Sequence, residues 1–317
     1  MKNGILGIRV RRATAVAMTT GAVLAAGALT AVPAQAAGTA PSAPTAPVAP
    51  AAPAPPAIAA KGGYAMNDTG GKTLYAKAAD TRRSTGSTTK IMTALVVLQQ
   101  PKLDLNSKVT IQKAYSDYIV DNNWASNARL IVGDKVTVRQ LLYGLMLPSG
   151  CDAAYALADR FGTGKTRAAR VKSFIGKMNS TAQKLGLKNT HFDSFDGIGK
   201  GANYSTPRDL TKLASAALKN STFRTVVKTQ KYTAKTVTKT GGTRTMAPWV
   251  NTNPLLGSYN GTIGVKTGSG PEAKYCLVFA ATRNGRTVVG TVLASTSAAQ
   301  RATDAKKMLD HGFKKLG

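Results

Sequence analysis

The stretch GSTTKIMTALVVLQQ, residues 86–100, sets the fold because it joins small polar residues to an apolar run with helical spacing. Ser87 and Lys90 are three positions apart, so a helix places both on one face of its first turn. Pro101 ends the predicted helix. The apolar residues recur at intervals of about three and four and predict one buried face; they are Ile91, Met92, Leu95, Val96 and Leu98.

The first 60 of the 317 residues read differently from the rest. Residues 1–36 have a basic start, an apolar run of small residues and a small-x-small cleavage signal, Ala34-Gln35-Ala36, which together predict a secretory signal peptide. The alternative is an uncleaved transmembrane anchor, which also displays the domain outside the membrane. Residues 37–60 are almost only Ala, Pro, Thr, Ser and Val and predict an extended spacer. The folded domain is therefore expected over residues 61–317.

The chain is strongly basic, with 43 Lys and Arg, 14 Asp and Glu, and a formal net charge of +29. The leader holds four of these charges, Lys2, Arg9, Arg11 and Arg12, and 29 minus 4 leaves +25 on the domain. Export argues against nucleic acid as the partner, and the basic residues are not interleaved with aromatic residues. We expect anionic surroundings outside the cell, either cell-wall polymers or phospholipid head groups.

The few cysteines and histidines exclude several classes of protein. Cys151 and Cys276 are the only cysteines, so there is no disulfide framework, although one bridge is possible. A Ser-His-Asp hydrolase requires His191 or His311, and no G-x-S-x-G elbow accompanies them. The two cysteines and two histidines lack the spacing of zinc ligands, so no metal and no cofactor are expected.

Strand and helix patterns predict an α+β fold. Strands at 64–66 and 73–76 form a hairpin, and strand patterns return after residue 228, with a second hairpin about Asn284-Gly285. Between them the chain reads as entirely helical. We expect an antiparallel sheet of about five strands built from both chain ends, flanked by helices, and an all-helical lobe at roughly 100–225. The predicted helices are 136–161, broken at Pro148-Ser149-Gly150, then 172–185, 206–218 and a closing helix at 297–315.

Two further local predictions concern the end of the chain. The strand GTIGVKTG is expected to lead into a turn at Ser269-Gly270-Pro271. The closing helix is expected to point its small and apolar residues inward; these are Ala298, Ala302, Ala305, Met308 and Leu309.

Three short motifs occur in order along the chain: Ser87-Thr88-Thr89-Lys90, Ser149-Gly150-Cys151 and Lys266-Thr267-Gly268. Each alone is weak, because a serine cap, a helix–helix loop and a strand ending in a turn explain them equally well. Together, S-x-x-K at a helix start, S-x-N or S-x-C in a loop and K-T-G on a strand are typical of penicillin-interacting serine enzymes.

The sequence around and between the motifs resembles one family within that group. LGLKNTHFDSFDGI (185–198), NYSTPRDL (203–210) and WVNTNPLLGSYNGTIGVKTGSG (249–270) are similar to the serine D-alanyl-D-alanine carboxypeptidases, the low-molecular-mass penicillin-binding proteins of the β-lactamase/transpeptidase-like superfamily. The resemblance covers nearly all of 61–317. It implies peptidoglycan peptides ending in D-Ala-D-Ala as substrates and β-lactams as inhibitors.

The resemblance also implies roles for the reacting residues. Ser87 is the nucleophile, Lys90 its general base and Ser149 the relay of the proton to the leaving amine. A lysine can be a base only if its ammonium is destabilised by burial and by nearby positive charge, which Lys266 would supply for Lys90.

The remaining site residues are implied to bind the substrate. The backbone N–H groups of Ser87 and Ser269 form an oxyanion hole. Lys266 and Thr267 hold the terminal carboxylate, and Gly268 lets the strand approach the ligand closely. Cys151 stands where most relatives carry Asn, and its thiol is a poorer hydrogen-bond partner; an inert buried cysteine is the alternative.

Three rival functions remain open. A transpeptidase shares the same acyl-enzyme and differs only in the acceptor. A class A β-lactamase requires a glutamate between the second and third motifs, whereas the only glutamate here, Glu272, follows the third. A non-catalytic wall-binding module would depend on charge alone.

Overall fold

The computed structural model describes residues 53–123, 125–199 and 201–317. The predicted signal peptide and most of the predicted spacer lie outside this described part. The last spacer residues pack on the domain: Ile58 and Ala60 are buried, and the backbone N–H of Ala60 donates to the Asp304 carboxylate at 2.8 Å. The packed region therefore includes residues ahead of the expected boundary at Lys61, because Ile58 supplies an apolar side chain to bury.

Among the described residues, strands occur at both ends of the domain and α-helices mostly between them. The strands are β1 (Gly62–Asn67), β2 (Thr73–Lys77), β3 (Lys108–Thr110), β4 (Lys135–Thr137), β5 (Lys231–Tyr232), β6 (Lys235–Val237), β7 (Thr243–Thr245), β8 (Trp249–Val250), β9 (Thr262–Gly270), β10 (Lys274–Arg283) and β11 (Arg286–Ser295). The α-helices are α1 (Lys90–Leu98), α2 (Lys113–Asp121), α3 (Val138–Met146), α4 (Cys151–Phe161), α5 (Arg167–Lys184), α6 (Pro207–Leu218), α7 (Ser221–Lys228) and α8 (Ala298–Leu316).

Both ends of the domain contribute to one five-stranded antiparallel sheet, as predicted. Its strand order is β2-β1-β11-β10-β9. The hairpin of β10 and β11 turns at Asn284-Gly285, where both residues have the positive φ that a two-residue turn requires, 48° and 72°. The sheet is covered on both faces: alternate β10 residues Leu277 and Phe279 pack with α8, and the residues between them pack with the central helices.

The central helices α3, α4, α5 and α6 lie where the sequence predicted helices, although α5 begins earlier, at Arg167; α2 and α7 were not predicted. The chain breaks between α3 and α4 around Ser149, and α6 begins with a Thr206 side-chain cap and with Pro207 in its first turn. The lobe also contains strands that the sequence did not predict. β3 and β4 pair with β6 and β7 in a four-stranded sheet. Strands of three residues contain too little alternation to be recognised in the sequence.

The helix predicted from Ser87 starts differently. Residues Gly86–Thr89 form a 3-10 turn, and the α-helix begins only at Lys90. β9 also runs further than expected: it continues through Ser269 and Gly270 because both pair with β10, so the turn falls at residues 271–273.

The inward face of α8 is partly polar. Ala305, Met308 and Leu309 are buried as predicted, whereas Ala298 is exposed. Asp304 is fully buried, and it accepts hydrogen bonds from Ser295 and Gln300 side chains. A buried carboxylate is stable only when hydrogen-bonded. Two of its donors, the backbone N–H groups of Ala59 and Ala60, come from the far end of the chain, so the apolar pattern of α8 did not predict it.

Candidate active site

The three motifs meet in one cleft of about 720 Å³ between the sheet and the helical lobe. Six of the eight predicted site residues line it: Ser87, Ser149, Cys151, Thr267, Gly268 and Ser269. The other two, Lys90 and Lys266, are buried behind the lining, with exposed fractions of 0% and 1%. A cleft that converges on one serine and two buried lysines is suited to nucleophilic catalysis.

Ser87 is held by tight contact between its 3-10 turn and β9. The Thr88 hydroxyl donates to the Thr85 backbone oxygen at 2.8 Å, which closes the turn. A Cβ atom at Gly268 would lie 2.7 Å from the Thr85 oxygen, and one at Gly86 would lie 2.9 Å from the Ser269 oxygen. Glycine is therefore needed on both sides of the contact. Gly268 lets the strand approach the turn that carries Ser87, whereas the sequence suggested only an approach to the ligand.

Lys90 is the centre of the hydrogen-bond network. Its Nζ donates to Ser87 Oγ at 2.9 Å, to Cys151 Sγ at 3.3 Å and to the Asp196 backbone oxygen at 3.1 Å. These three acceptors match the three donors of an ammonium group. The first distance is within the range needed for direct proton transfer between a hydroxyl and an amine.

Lys266 is the lysine whose charge is destabilised. Burial, followed by the positive charges of Lys90 and Arg301, holds the pKa of Lys266 well below its usual value of 10.5, with the Cys151 thiol acting in the opposite direction. Its Nζ donates one hydrogen bond, to the Thr267 backbone oxygen at 3.0 Å. Burial and a neighbouring positive charge, the two effects that the sequence led us to expect, thus act on Lys266.

The middle motif places a serine and a cysteine side by side. Ser149 has a positive φ of 67°, and its Oγ is buried without a hydrogen-bond partner among the described residues. Cys151 begins α4 and occupies the contact to Lys90. Burial raises the pKa of the Cys151 thiol to about 11, so it is protonated at neutral pH. Cys151 and Cys276 are both free and buried, which answers the question of a bridge.

Several residues of the cleft were missed by the sequence analysis. Thr252 shares a 2.6 Å hydrogen bond with Thr267. It lies within the stretch 249–270 that carries the family resemblance, so the sequence could have indicated it. Arg301 donates to the Gly268 backbone oxygen at 3.0 Å from α8, more than thirty positions along the chain. Nothing in the sequence around Arg301 marks it. The Asp196 carboxylate accepts from the Tyr118 hydroxyl at 2.9 Å, which fixes the segment that contacts Lys90.

The histidines lie elsewhere. His191 stacks on Tyr204, and His311, on α8, packs edge-on against Tyr75. Neither contacts Ser87 in the described structure. No group of three or more His, Cys, Asp and Glu side chains that could hold a metal ion occurs in residues 53–123, 125–199 and 201–317. Over the same residues, no helix is both long and apolar enough to span a bilayer.

Comparisons with known proteins agree with this geometry. The sequence model of the D-alanyl-D-alanine carboxypeptidases matches residues 49–297. A D-alanyl-D-alanine carboxypeptidase of Streptomyces sp. strain K15 is 70% identical over 306 residues, which cover 96% of this chain and 99% of the relative. The D-alanyl-D-alanine carboxypeptidase DacF of Bacillus subtilis is 32% identical, and the match covers 80% of this chain and 62% of DacF.

Solved structures give the same result. The crystal structure of the Streptomyces K15 DD-transpeptidase matches with a TM-score of 0.81 and 78% identity, over 82% of this chain and 99% of that chain. The D-alanyl-D-alanine carboxypeptidase DacD of Francisella tularensis matches with a TM-score of 0.71 and 27% identity, over 82% of this chain and 71% of that chain. With its three motifs gathered in one cleft, the chain belongs to the D-alanyl-D-alanine carboxypeptidase family of serine enzymes.

Proposed function

We propose that the chain is an exported DD-peptidase that cleaves peptidoglycan stem peptides ending in D-Ala-D-Ala through an acyl-enzyme on Ser87. The observation that carries the proposal is the 2.9 Å contact between Lys90 Nζ and Ser87 Oγ in the cleft shared by the three motifs. A serine hydroxyl becomes an effective nucleophile only when a neighbouring base takes its proton.

Both lysines take part in the proposed proton transfer. Lys90 donates to Ser87 in the resting arrangement, so it must lose a proton before it can act as base. The substrate carboxylate, bound beside Lys266 and Thr267, favours the charged form of Lys266. A proton held on Lys266 leaves the Lys90 amine to accept the proton of Ser87 Oγ.

Acylation then follows in balanced steps. Ser87 Oγ bonds to the carbonyl carbon of the penultimate D-alanine while its proton moves to Lys90. The backbone N–H groups of Ser87 and Ser269 stabilise the oxyanion. As the C–N bond breaks, the proton passes to the leaving D-alanine through Ser149, whose buried hydroxyl has no partner among the described residues.

Cys151 has a positioning role in this scheme. Its sulfur accepts a hydrogen bond from Lys90 at 3.3 Å and holds the base beside Ser87. It is a weaker substrate ligand than the Asn of most relatives, because a thiol donates and accepts weakly. The inert alternative predicts that Cys151→Ala leaves the acylation rate unchanged.

The acyl-enzyme on Ser87 accepts either water or an amine. Water gives a shortened peptide, and an amine gives a new peptide bond. The name of the K15 structural relative, DD-transpeptidase, favours the amine as a second activity of the same site. Export through the leader and association with anionic wall polymers, favoured by a net charge of +29, complete the proposal.

The experiment measures D-alanine release from a peptide ending in D-Ala-D-Ala by the purified chain, with and without glycylglycine as acceptor. We expect release by the wild type, a loss of about a thousandfold or more in Ser87→Ala, and a new peptide product when the amine is present. Equal release by wild type and Ser87→Ala contradicts the acyl-serine mechanism. Release without any amine product leaves the hydrolytic activity and removes the second one.

A further inference from the structure

The catalytic cleft has one glutamate on its rim. Glu272 is the only glutamate of the chain, and among the described residues it is one of two acidic side chains that line the cleft, with Asp121. Glu272 is exposed, and its carboxylate forms no ion pair with another described residue. The same cleft contains the Ser149 hydroxyl, which is buried and has no partner in the described part of the chain. Both groups are available to a bound ligand.

The turn that carries Glu272 is held close to the nucleophilic serine. Residues 271–273 connect β9 to β10. Ala273 is 3% exposed, and a Cβ atom added at Gly86 would lie 3.3 Å from the Ala273 Cβ atom. Gly86 directly precedes Ser87, and Glu272 directly precedes Ala273. The backbone of Glu272 is therefore fixed beside the turn that carries Ser87, while its side chain lines the cleft.

The direction of a bound peptide follows from the proposed function, on which the role of Glu272 rests. In that function Lys266 and Thr267 hold the terminal carboxylate, and the Ser269 N–H binds the reacting carbonyl oxygen of the penultimate D-alanine. The peptide then runs antiparallel to β9, and each earlier residue lies about 3.3 Å further toward the turn at 271–273. The residue before D-Ala-D-Ala is therefore within reach of the Glu272 side chain.

The charges along this path are opposite at its two ends. Lys266 lies at the end that takes the terminal carboxylate, and Arg301 donates to the Gly268 backbone oxygen, two positions further along β9, at 3.0 Å. Glu272 lies beyond the other end. A peptide with a carboxylate at its C-terminus and an ammonium group ahead of its last two residues matches this order of charges in one direction only.

We propose that Glu272 is a specificity-determining residue that binds the side-chain ammonium of the residue immediately before D-Ala-D-Ala. The donor peptides that the site prefers then carry a basic side chain at that position. The contact lies away from the bond that breaks, so it stabilises the bound peptide and the transition state alike and raises kcat/KM. Asp121, at the end of α2 on the helical-lobe side of the cleft, is the rival carboxylate for the same ammonium.

The test compares the release of D-alanine from two peptides that differ in charge at this position. They are Nα-acetyl-L-Lys-D-Ala-D-Ala and Nα,Nε-diacetyl-L-Lys-D-Ala-D-Ala. We measure kcat/KM for the purified wild-type chain, Glu272→Gln, Asp121→Asn and Asp117→Asn. Asp117→Asn is the matched control, because it removes a carboxylate that pairs with Lys113 on α2 and does not line the cleft. Acylation by benzylpenicillin, which carries no ammonium group, checks the folding of every variant.

We expect the wild type to prefer the cationic peptide by about fivefold in kcat/KM, the upper range for an exposed ion pair. Salt should reduce the preference. Glu272→Gln should lose the preference by cleaving the cationic peptide more slowly, with the diacetyl peptide unchanged, and Asp117→Asn should match the wild type. An effect of side-chain length would persist in Glu272→Gln, so these results together isolate the charge.

The outcomes separate the role of Glu272 from the proposed function. Equal kcat/KM for the two peptides in the wild type overturns the role of Glu272 and leaves the proposed function intact. A preference that persists in Glu272→Gln, or that disappears only in Asp121→Asn, also overturns it. Cleavage of neither peptide by the wild type overturns the proposed function, and the role of Glu272 falls with it.

Discussion

Replacing Gly268 with alanine tests whether the close approach of β9 to the turn that carries Ser87 matters for acylation. The new Cβ would lie 2.7 Å from the Thr85 oxygen, and relief to an ordinary contact of 3.4 Å moves the strand or the turn by about 0.7 Å. Overpacking of this kind costs about 1–3 kcal/mol of stability. The same displacement separates Ser87 from the proposed oxyanion donor on β9, the Ser269 N–H, and a misplacement near 1 Å costs about a hundredfold in rate. We expect acylation by benzylpenicillin to slow by about that factor.

The assay is the second-order rate constant of acylation, measured beside the thermal midpoint. Gly270→Ala is the matched control, because it lies on the same strand with no atom within 4 Å of an added Cβ. It should acylate at the wild-type rate. The reasoning is refuted if Gly268→Ala is folded and acylates within about threefold of the wild type. A Gly270→Ala variant as slow as Gly268→Ala would show that any change on β9 is harmful, and would also refute it.

Three further predictions concern buried polar groups. Asp152→Ala removes a buried carboxylate that accepts three backbone N–H groups, so urea denaturation should show a loss of about 3–5 kcal/mol; a loss below 1 kcal/mol contradicts this. Burial and the nearby Lys315 and Lys314 lower the pKa of His311, so stability is complete above the unfolded pKa near 6.5 and falls as the pH drops below it. Thermal melts from pH 7 to pH 5 should lose part of this dependence in His311→Gln, and an unchanged dependence counts against the assignment. Because the Cys151 thiol is buried with a pKa of about 11, iodoacetamide should alkylate it slowly, and acylation should disappear in step with that alkylation. Mass mapping against Cys276, and Cys151→Ala treated in parallel, check this; full alkylation of Cys151 with normal acylation refutes it.

The sequence predicted the parts of the site that depend on local pattern. The apolar periodicity after Lys90 identified α1, Asn284-Gly285 identified the hairpin of β10 and β11, and the order of the three motifs identified the family. These features can be predicted from the sequence because a spacing of three or four residues, or a turn dipeptide, depends directly on the local backbone geometry.

Features that depend on contacts between distant segments could not be predicted from the sequence. Arg301, on α8, donates to the Gly268 carbonyl oxygen. Asp196 binds Lys90 through its backbone oxygen, and a backbone contact cannot be predicted from a pattern of side chains. The lowered pKa of Lys266 arises from burial beside Lys90 and Arg301, so it required the packed structure. The strands β3 and β4 were missed because three residues hold too little periodicity.

The most direct test of the account is the intact mass of the purified chain after mixing with benzylpenicillin, followed over hours beside Ser87→Ala. The account predicts one long-lived adduct per wild-type chain, mapped to the peptide that contains Ser87, and none on Ser87→Ala. An adduct of equal yield on Ser87→Ala, or rapid loss of the antibiotic with no accumulated adduct, would contradict it.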